Sequence, residues 1–329
     1  YILSLFLVST NVFLIIYSQE LRAYSLVFFL STLSLIFFFK IVNLKNNKKI
    51  TFIIFTFLQI LMILSHPFTL IIFFSIILFS IFEYLKFNKK FYELNYSILI
   101  TLIFTIFYLY FYFDNISTFP TWIEQPGLKF YTNFYFSKFF GSRLVGLIHL
   151  IVLLYLIITF LRKFIKNSDG IIIFLLIIIL SYFLPLTYGY LFKPVIFPRY
   201  IIFILAPIII LLSYLIFEID NKKLKKILIT VLVIFTLGNQ FTETNIKQFF
   251  NERAFHKPQF TLTFKEIQKS EVKYFTFDLN FTPNVKNYVF AALKNYSFKL
   301  IKKNNLNISF ISNEDFINSN DNKIWLICL

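Results

Sequence analysis

The stretch Ile-Ile-Ile-Phe-Leu-Leu-Ile-Ile-Ile-Leu-Ser-Tyr-Phe-Leu-Pro-Leu-Thr, residues 171–187, decides the fold of this chain. It contains no Asp, Glu, Lys or Arg. A charge-free apolar run of this length comes close to the roughly 20 residues with which a helix crosses the hydrocarbon core of a bilayer. The stretch therefore predicts a membrane-spanning helix.

Similar charge-poor blocks occupy most of the chain up to residue 241. They run approximately over residues 1–17, 23–39, 50–64, 69–82, 95–113, 144–161, 200–217 and 226–241. Several are short, but flanking Tyr, Ser and Asn can extend them into the membrane interface. The hydrophobic share of 58% and the mean hydropathy of +0.74 also exceed the values of an ordinary soluble domain. We therefore predict an α-helical polytopic membrane protein in which residues 1–241 form about nine transmembrane helices.

The positive charge is distributed by loop. Every second loop is basic, and these loops carry Lys40, Lys45, Lys48, Lys49, Lys86, Lys89, Lys90, Arg162, Lys163, Lys166, Lys222, Lys223, Lys225 and Lys226. The alternate loops carry only Arg22, Lys129, Lys138, Arg143, Lys193 and Arg199. The positive-inside rule places the first set in the cytoplasm and the second outside. This arrangement explains the net charge of +16 without a nucleic-acid partner, and we expect none.

The tail, residues 242–329, differs in composition because it is polar and rich in Asn and Lys. Its patterns predict helices at 262–269 and 284–296 and strands at 272–278, 298–302, 308–312 and 323–329. We expect a small C-terminal α/β domain on the extracytoplasmic side. The single cysteine, Cys328, excludes an internal disulfide framework and a cysteine-based metal cluster.

The most informative polar segment is Tyr-Ser-Gln-Glu-Leu-Arg-Ala-Tyr-Ser-Leu, residues 17–26, at a predicted outer helix end. Ser18 is a candidate N-cap, and Glu20 in the first turn would suit the helix dipole. Glu20 and Tyr24 would then lie one turn apart on one face of the helix. On these grounds alone, the segment could equally be an ordinary capped helix start with Arg22 among the lipid headgroups.

Three motifs together resemble a known family. The segment 17–26 is similar to the outer-loop motif of protein O-mannosyltransferase-like membrane glycosyltransferases, which belong to the GT-C superfamily together with the lipid A aminoarabinose transferase. Leu-Ser-His-Pro-Phe at 64–68 is similar to the family's Thr/Ser-His-x-Phe turn. Phe-Pro-Arg-Tyr at 197–200, followed by Leu-Ala-Pro at 205–207, is similar to its Pro-Arg-Tyr helix start. The order of the motifs is also that of the family.

The resemblance implies a glycosyltransferase that moves a sugar from a polyprenyl-phosphate donor to an envelope, lipid or protein acceptor at the extracytoplasmic face of the plasma or inner membrane. The donor would be a substrate, and no cofactor or metal is expected. The family's catalytic carboxylate lies in its first outer loop. Because the sequence starts at Tyr1 inside an apolar run, we expect upstream sequence to carry that carboxylate, and the catalytic residue stays unknown here.

The resemblance also suggests which residues bind the substrate. The candidates are Glu20, Arg22, Tyr24, His66, Lys193, Arg199 and Tyr200. Arg can hold a phosphate through two parallel hydrogen bonds. Each candidate also has a simpler interpretation: headgroup anchoring for the cations, helix capping for Glu20, backbone hydrogen bonding for His66 and an interfacial position for the tyrosines.

Other function classes remain open. A coupled transporter is disfavoured because the predicted spans are poor in ionisable residues and no internal repeat is evident. A polysaccharide polymerase or ligase would concentrate arginine in a large outer loop and would not need a C-terminal α/β domain. A non-catalytic membrane protein of the same architecture is the third alternative.

Overall fold

A computed structural model describes residues 2–20, 22–43, 48–113, 123–166, 171–240, 260–270, 274–278, 283–310 and 325–328. The chain divides into two compact units, Tyr1–Thr242 and Glu243–Leu329. The first unit is built of helices, whereas the second combines helices with a small sheet.

The helices of the first unit follow one another along residues 2–240. They are α1 Ile2–Ser9, α2 Val12–Ser18, α3 Tyr24–Asn43, α4 Lys48–Ser65, α5 Leu70–Phe87, α6 Tyr92–Phe113, α7 Leu128–Asn133, α8 Phe136–Phe139, α9 Arg143–Lys166, α10 Ile172–Leu191, α11 Leu205–Phe217 and α12 Lys222–Gln240. Two 3₁₀ segments, Pro67–Thr69 and Pro198–Ile204, lead directly into α5 and α11.

Six of these segments are long and apolar enough to cross a membrane. They are Tyr24–Asn43, Pro67–Phe87, Tyr92–Phe111, Arg143–Phe160, Ile172–Leu191 and Pro198–Phe217. Large apolar side chains are exposed along them, such as Phe29 on α3 and Phe183 on α10. Apolar exposure of this kind along a helix suits contact with lipid. The protein is therefore a helical, multi-pass membrane protein.

The predicted number of nine spans is not confirmed. Within the described residues, the first predicted block is divided at Thr10 into the two short helices α1 and α2. The apolar part of α4, Lys49–Ser65, is slightly shorter than the six spans, and α12 begins with a cluster of lysines. The alternation of basic loops could not reveal these differences, because it counts crossings without measuring the length of each helix.

The division between α1 and α2 is fixed by side-chain amides. The side-chain oxygen Oδ1 of Asn11 accepts a hydrogen bond from the Leu14 N–H and caps α2. The side-chain nitrogen Nδ2 of Asn11 donates to the Phe139 backbone carbonyl at 3.0 Å. Asn239 at the end of α12 donates to the Phe140 carbonyl at 3.1 Å, and Gln240 donates to the Thr10 carbonyl. Such bonds satisfy backbone groups that lipid cannot solvate, and they hold α2 in place beside α8 and α12.

The segment Pro198–Phe217 is the most buried of the six spans. Pro207 lacks the N–H that an α-helix would donate to the Phe203 carbonyl. The preceding residues accordingly adopt 3₁₀ geometry, with a kink at Ile201. Because Ile201 to Leu205 are fully buried, this irregular stretch is held firmly, and Arg199 lies near its N-terminal end.

The short helix α8 packs very closely against α9. A Cβ atom at Gly146 of α9 would lie 2.5 Å from the backbone carbon of Phe136 and 2.5 Å from the backbone nitrogen of Ser137. Real Cβ contacts are essentially never this short. The absence of a side chain at Gly146 therefore allows the two backbones to meet.

In the second unit, strand β1 Tyr274–Asp278 lies between β2 Ser309–Phe310 and β3 Trp325–Cys328, and both pairings are parallel. The helices Phe260–Lys269 and Pro283–Lys303 accompany the sheet. Phe264, Ile267, Phe275 and Phe277 form its buried core.

One predicted strand of this unit, residues 298–302, is wrong. The helix Pro283–Lys303 continues through it. The reason lies in the spacing of Phe290, Leu293, Leu300 and Ile301, which all pack against the core of the unit. Intervals of three, seven and one residues keep these side chains on one helical face. The short apolar run 298–302 therefore extends the preceding helical pattern.

Candidate functional site

The connection between α2 and α3 forms one side of a polar cluster. Ser18 is the last residue of α2, and its hydroxyl donates to the Ile15 carbonyl at 2.8 Å. The predicted helix start at Ser18 is therefore wrong, because Ser18 completes the preceding helix instead of capping the next one. A turn follows, in which the Arg22 N–H donates to the Glu20 carbonyl at 2.8 Å. Helix α3 begins only at Tyr24.

Within this turn, the side chains of Glu20 and Arg22 form an ion pair. Arg22 Nε lies 3.7 Å from Glu20 Oε2. The Glu20 side chain is 15% exposed, whereas that of Arg22 is 55% exposed. An ion pair with one solvated partner contributes only about 0–1 kcal/mol. Its main effect is to orient the Arg22 guanidinium.

The second cation of the cluster, Arg199, lies among aromatic rings. Its guanidinium carbon is 4.9 Å from the ring centre of Phe197, 5.5 Å from that of Tyr200 and 5.7 Å from that of Tyr24. It is also within hydrogen-bonding range of the Tyr17 hydroxyl. Each cation–π contact of a partly desolvated group stabilises the folded arrangement by about 0.5–2 kcal/mol. The guanidinium is thus held in a defined plane.

His66 completes the cluster from the turn between α4 and α5. Its ring centre lies 5.3 Å from that of Tyr200 and 5.9 Å from that of Tyr24. Its Nδ1 accepts a hydrogen bond from the Phe68 N–H at 3.2 Å. Burial, together with the positive charge of Arg199, lowers the pKa of His66 to about 4. The imidazole is therefore neutral near pH 7, and the occupied Nδ1 leaves the proton on Nε2.

The structure brings together six of the seven predicted site residues. Tyr24 contacts Arg199, His66 and Tyr200, and the charges of both Arg22 and Arg199 act on the hydroxyls of Tyr17 and Tyr24. Lys193 is exposed, and within the described residues no contact joins it to the cluster.

Sequence reasoning missed three members of the cluster. Tyr17 packs against Tyr24 with ring centres 5.4 Å apart. Phe68 packs against Tyr200 at 5.4 Å, and Phe197 packs against Tyr200 at 5.9 Å. All three belong to the quoted motifs, but the chain has 49 Phe and 20 Tyr in total, and this abundance conceals any individual aromatic signal.

Comparison with known proteins adds no assignment. The chain matches no protein-family model, no curated protein and no solved structure.

The chemistry of the cluster suits an anionic ligand. It offers two guanidinium groups, a neutral imidazole and tyrosine hydroxyls, and its walls are aromatic. Guanidinium groups bind phosphate through paired hydrogen bonds and stay charged at any physiological pH. Among the described residues, no group of three or more His, Cys, Asp or Glu could hold a metal ion.

The lowered pKa of His66 makes stability depend on pH. An unfolded histidine takes up a proton near its ordinary pKa of 6.5, whereas folded His66 does so only near 4. Between these values the unfolded state binds more protons, so the free energy of unfolding falls as pH falls. We expect wild type to lose stability relative to His66→Gln when pH is lowered from about 6.5 to about 4, and the difference to stay constant above that range.

Thermal unfolding of both purified proteins in detergent, across that pH range, measures this difference. The other histidines are present in both proteins and cancel in the comparison. Parallel loss of stability in wild type and variant would show that His66 is not the titrating group.

Proposed function

We propose that this protein is a membrane glycosyltransferase that takes a sugar from a polyprenyl-phosphate donor. The donor phosphate binds Arg199 and Arg22, and the sugar goes to an envelope, lipid or protein acceptor. The resemblance of the motifs at 17–26, 64–68 and 197–200 to GT-C enzymes motivates the choice of reaction. On this proposal the enzyme lies in the plasma or inner membrane, with residues 242–329 as an extracytoplasmic α/β domain.

The observation that carries the proposal is the position of Arg199. Its guanidinium lies over the rings of Phe197, Tyr200 and Tyr24, near the N-terminal end of the most buried span. A lipid phosphate lies at this level, where a span meets the headgroups. The ring contacts fix the guanidinium before the ligand arrives, so little of its conformational freedom is lost on binding.

The cluster would assist the reaction by stabilising the leaving group. When the acceptor hydroxyl attacks the anomeric carbon, the bond to the lipid phosphate breaks and negative charge accumulates on the departing phosphate oxygens. Fixed cations lower the energy of that charge in the transition state. Arg199 and the Glu20-oriented Arg22 supply them, while His66 Nε2–H can donate to a phosphate or sugar oxygen. None of these residues serves as the general base; on this proposal the proton of the acceptor hydroxyl passes to the carboxylate that the resemblance places in the family's first outer loop.

The test is a transfer assay in membranes that contain the protein as it occurs in the cell. A radiolabelled polyprenyl-phosphate sugar is supplied, and both the label on acceptors and the released polyprenyl phosphate are measured. We expect transfer in wild type and a loss on the order of 100-fold in the double variant Arg22→Ala/Arg199→Ala. Lys138→Ala, which removes an exposed cation of α8, should keep wild-type transfer.

The outcomes separate the alternatives. Equal transfer by wild type and the double variant, at equal protein level, would remove the phosphate assignment. Donor binding to wild type without any transfer would instead favour the non-catalytic membrane protein.

A further inference from the structure

A second candidate site lies on α12, among residues that the proposed function does not use. A surface hollow of about 410 Å³ is lined by Lys223, Lys226, Ile227, Thr230 and Val231. Its two lysines come from the first turns of the helix, and its apolar floor lies further along. The lining of the hollow is almost entirely apolar, so the two lysines contribute mainly their aliphatic stems, and the cationic end of the hollow is the start of α12 from which these side chains extend.

The cationic end is unfavourable for an isolated helix. Four of the first five residues of α12 are lysines, and the first turn contains no acidic residue. The positive end of the helix dipole lies there, so each lysine is repelled by the dipole and by its neighbours. Glu218 and Asp220 just before the helix offset two of these charges. The remaining positive charge favours an external anion.

The lysines of this end have different surroundings. Lys225 Nζ donates to the Phe217 carbonyl at 2.8 Å and thereby satisfies the end of α11. Lys222 is exposed but does not line the hollow. Lys223 and Lys226 line it, and within the described residues neither side chain makes a hydrogen bond or ion pair. These two ammonium groups can therefore bind a ligand in the hollow.

The apolar end of the hollow continues along the outer face of α12. Ile227, Ile234 and Leu237 are 56%, 59% and 37% exposed, whereas Leu232 on the opposite face is fully buried. The successive spacings of seven and three residues place these exposed side chains on one stripe of the helix. From Lys226 to Leu237 this stripe extends about 16 Å along the helix axis, which is comparable to the length of a lipid acyl chain.

We propose that the hollow binds one anionic phospholipid. The headgroup phosphate lies between the ammonium groups of Lys223 and Lys226, and an acyl chain lies on Ile227, Val231 and the stripe beyond them. Thr230 lies about 6 Å along the axis from Lys226, at the level of the ester groups, where its hydroxyl can donate. The apolar stripe selects a lipid over a soluble phosphate, because a free phosphate would leave that surface unused.

This site is independent of the proposed glycosyltransferase function. The two sites share no residue, and Arg199 does not belong to α12. A variant of the lysine site can therefore fail to bind lipid while the aromatic cluster remains intact.

The test measures lipid binding to the purified, detergent-solubilised protein by native mass spectrometry and thermal unfolding. Phosphatidylglycerol is compared with phosphatidylcholine of the same acyl chains. We expect wild type to prefer phosphatidylglycerol, and Lys223→Gln/Lys226→Gln to bind it about thirtyfold more weakly, since each lysine near an anionic headgroup adds about a fivefold factor. Lys222→Gln removes one charge from the same helix end and should keep the preference.

Three results would overturn the proposal. One is equal retention of the two lipids by wild type, and another is equal loss of preference in Lys222→Gln and the double variant, which would indicate diffuse attraction. The third is displacement of bound phosphatidylglycerol by millimolar inorganic phosphate, which would indicate a site for a soluble anion.

Discussion

We expect replacement of Arg199 by alanine to lower the affinity for the proposed polyprenyl-phosphate sugar donor by a factor on the order of 100. A bidentate, charge-assisted contact in a partly desolvated site contributes more binding free energy than an exposed ion pair does. The loss should exceed that of Arg22→Ala, since the Arg22 side chain is 55% exposed whereas Arg199 lies among three rings.

Arg199→Lys is the matched variant for this prediction. It keeps the positive charge but loses the planar group that lies over Phe197, Tyr200 and Tyr24 and that can bind two phosphate oxygens. Its affinity should be intermediate. Equilibrium binding of a fluorescent polyprenyl phosphate to the three purified proteins measures the order. If lysine and arginine bound the lipid equally well, charge alone would suffice and the ring geometry would be irrelevant to binding.

The largest effect on stability is expected at Gly146. Any side chain there meets the backbone of α8 at 2.5 Å, and a backbone cannot move aside as a flexible side chain can. Gly146→Ala must therefore separate α8 from α9. We expect it to lower the free energy of unfolding by about 3 kcal/mol and the midpoint of thermal unfolding by roughly 5 °C or more.

Gly238 provides the matched control. It lies inside α12, and a Cβ added there would meet no atom within 4 Å. Gly238→Ala should leave stability unchanged or raise it by about 0.5–1 kcal/mol, because alanine favours the helix. Thermal unfolding in detergent compares the two variants. Equal midpoints would mean that the contact between α8 and α9 can relax at little cost.

The sequence predicts the membrane class securely, because apolar runs such as 171–187 cannot be placed in water. The sequence also singles out three motifs that are far apart in the chain, at 17–26, 64–68 and 197–200. The structure places them together around Tyr24. Helix boundaries inside the motifs are harder to predict. Ser18 suits either end of a helix, and only the packing of α2 decides that its hydroxyl bonds backwards to Ile15.

Other features depend on contacts that no local pattern records. The separation of α1 from α2 depends on Asn11 and Gln240, which bond to carbonyls remote from them in sequence. Lys193 and Arg199 are both cations of the predicted outer loops, but the proline-initiated 3₁₀ segment carries only Arg199 into the aromatic cluster. The sequence did not predict the hollow on α12. The positive-inside rule already accounts for its lysines, so they gave no separate indication of a ligand.

The aromatic cluster has a consequence for the biogenesis of the protein. Its members come from the α2–α3 connection, the α4–α5 turn and the segment that opens the Pro198–Phe217 span. During synthesis the first two segments leave the ribosome long before the third. Until residue 199 has been synthesised, there is no guanidinium to lie over the rings of Tyr24 and Tyr200, so the complete cluster forms only when that late segment inserts among the helices already in the bilayer.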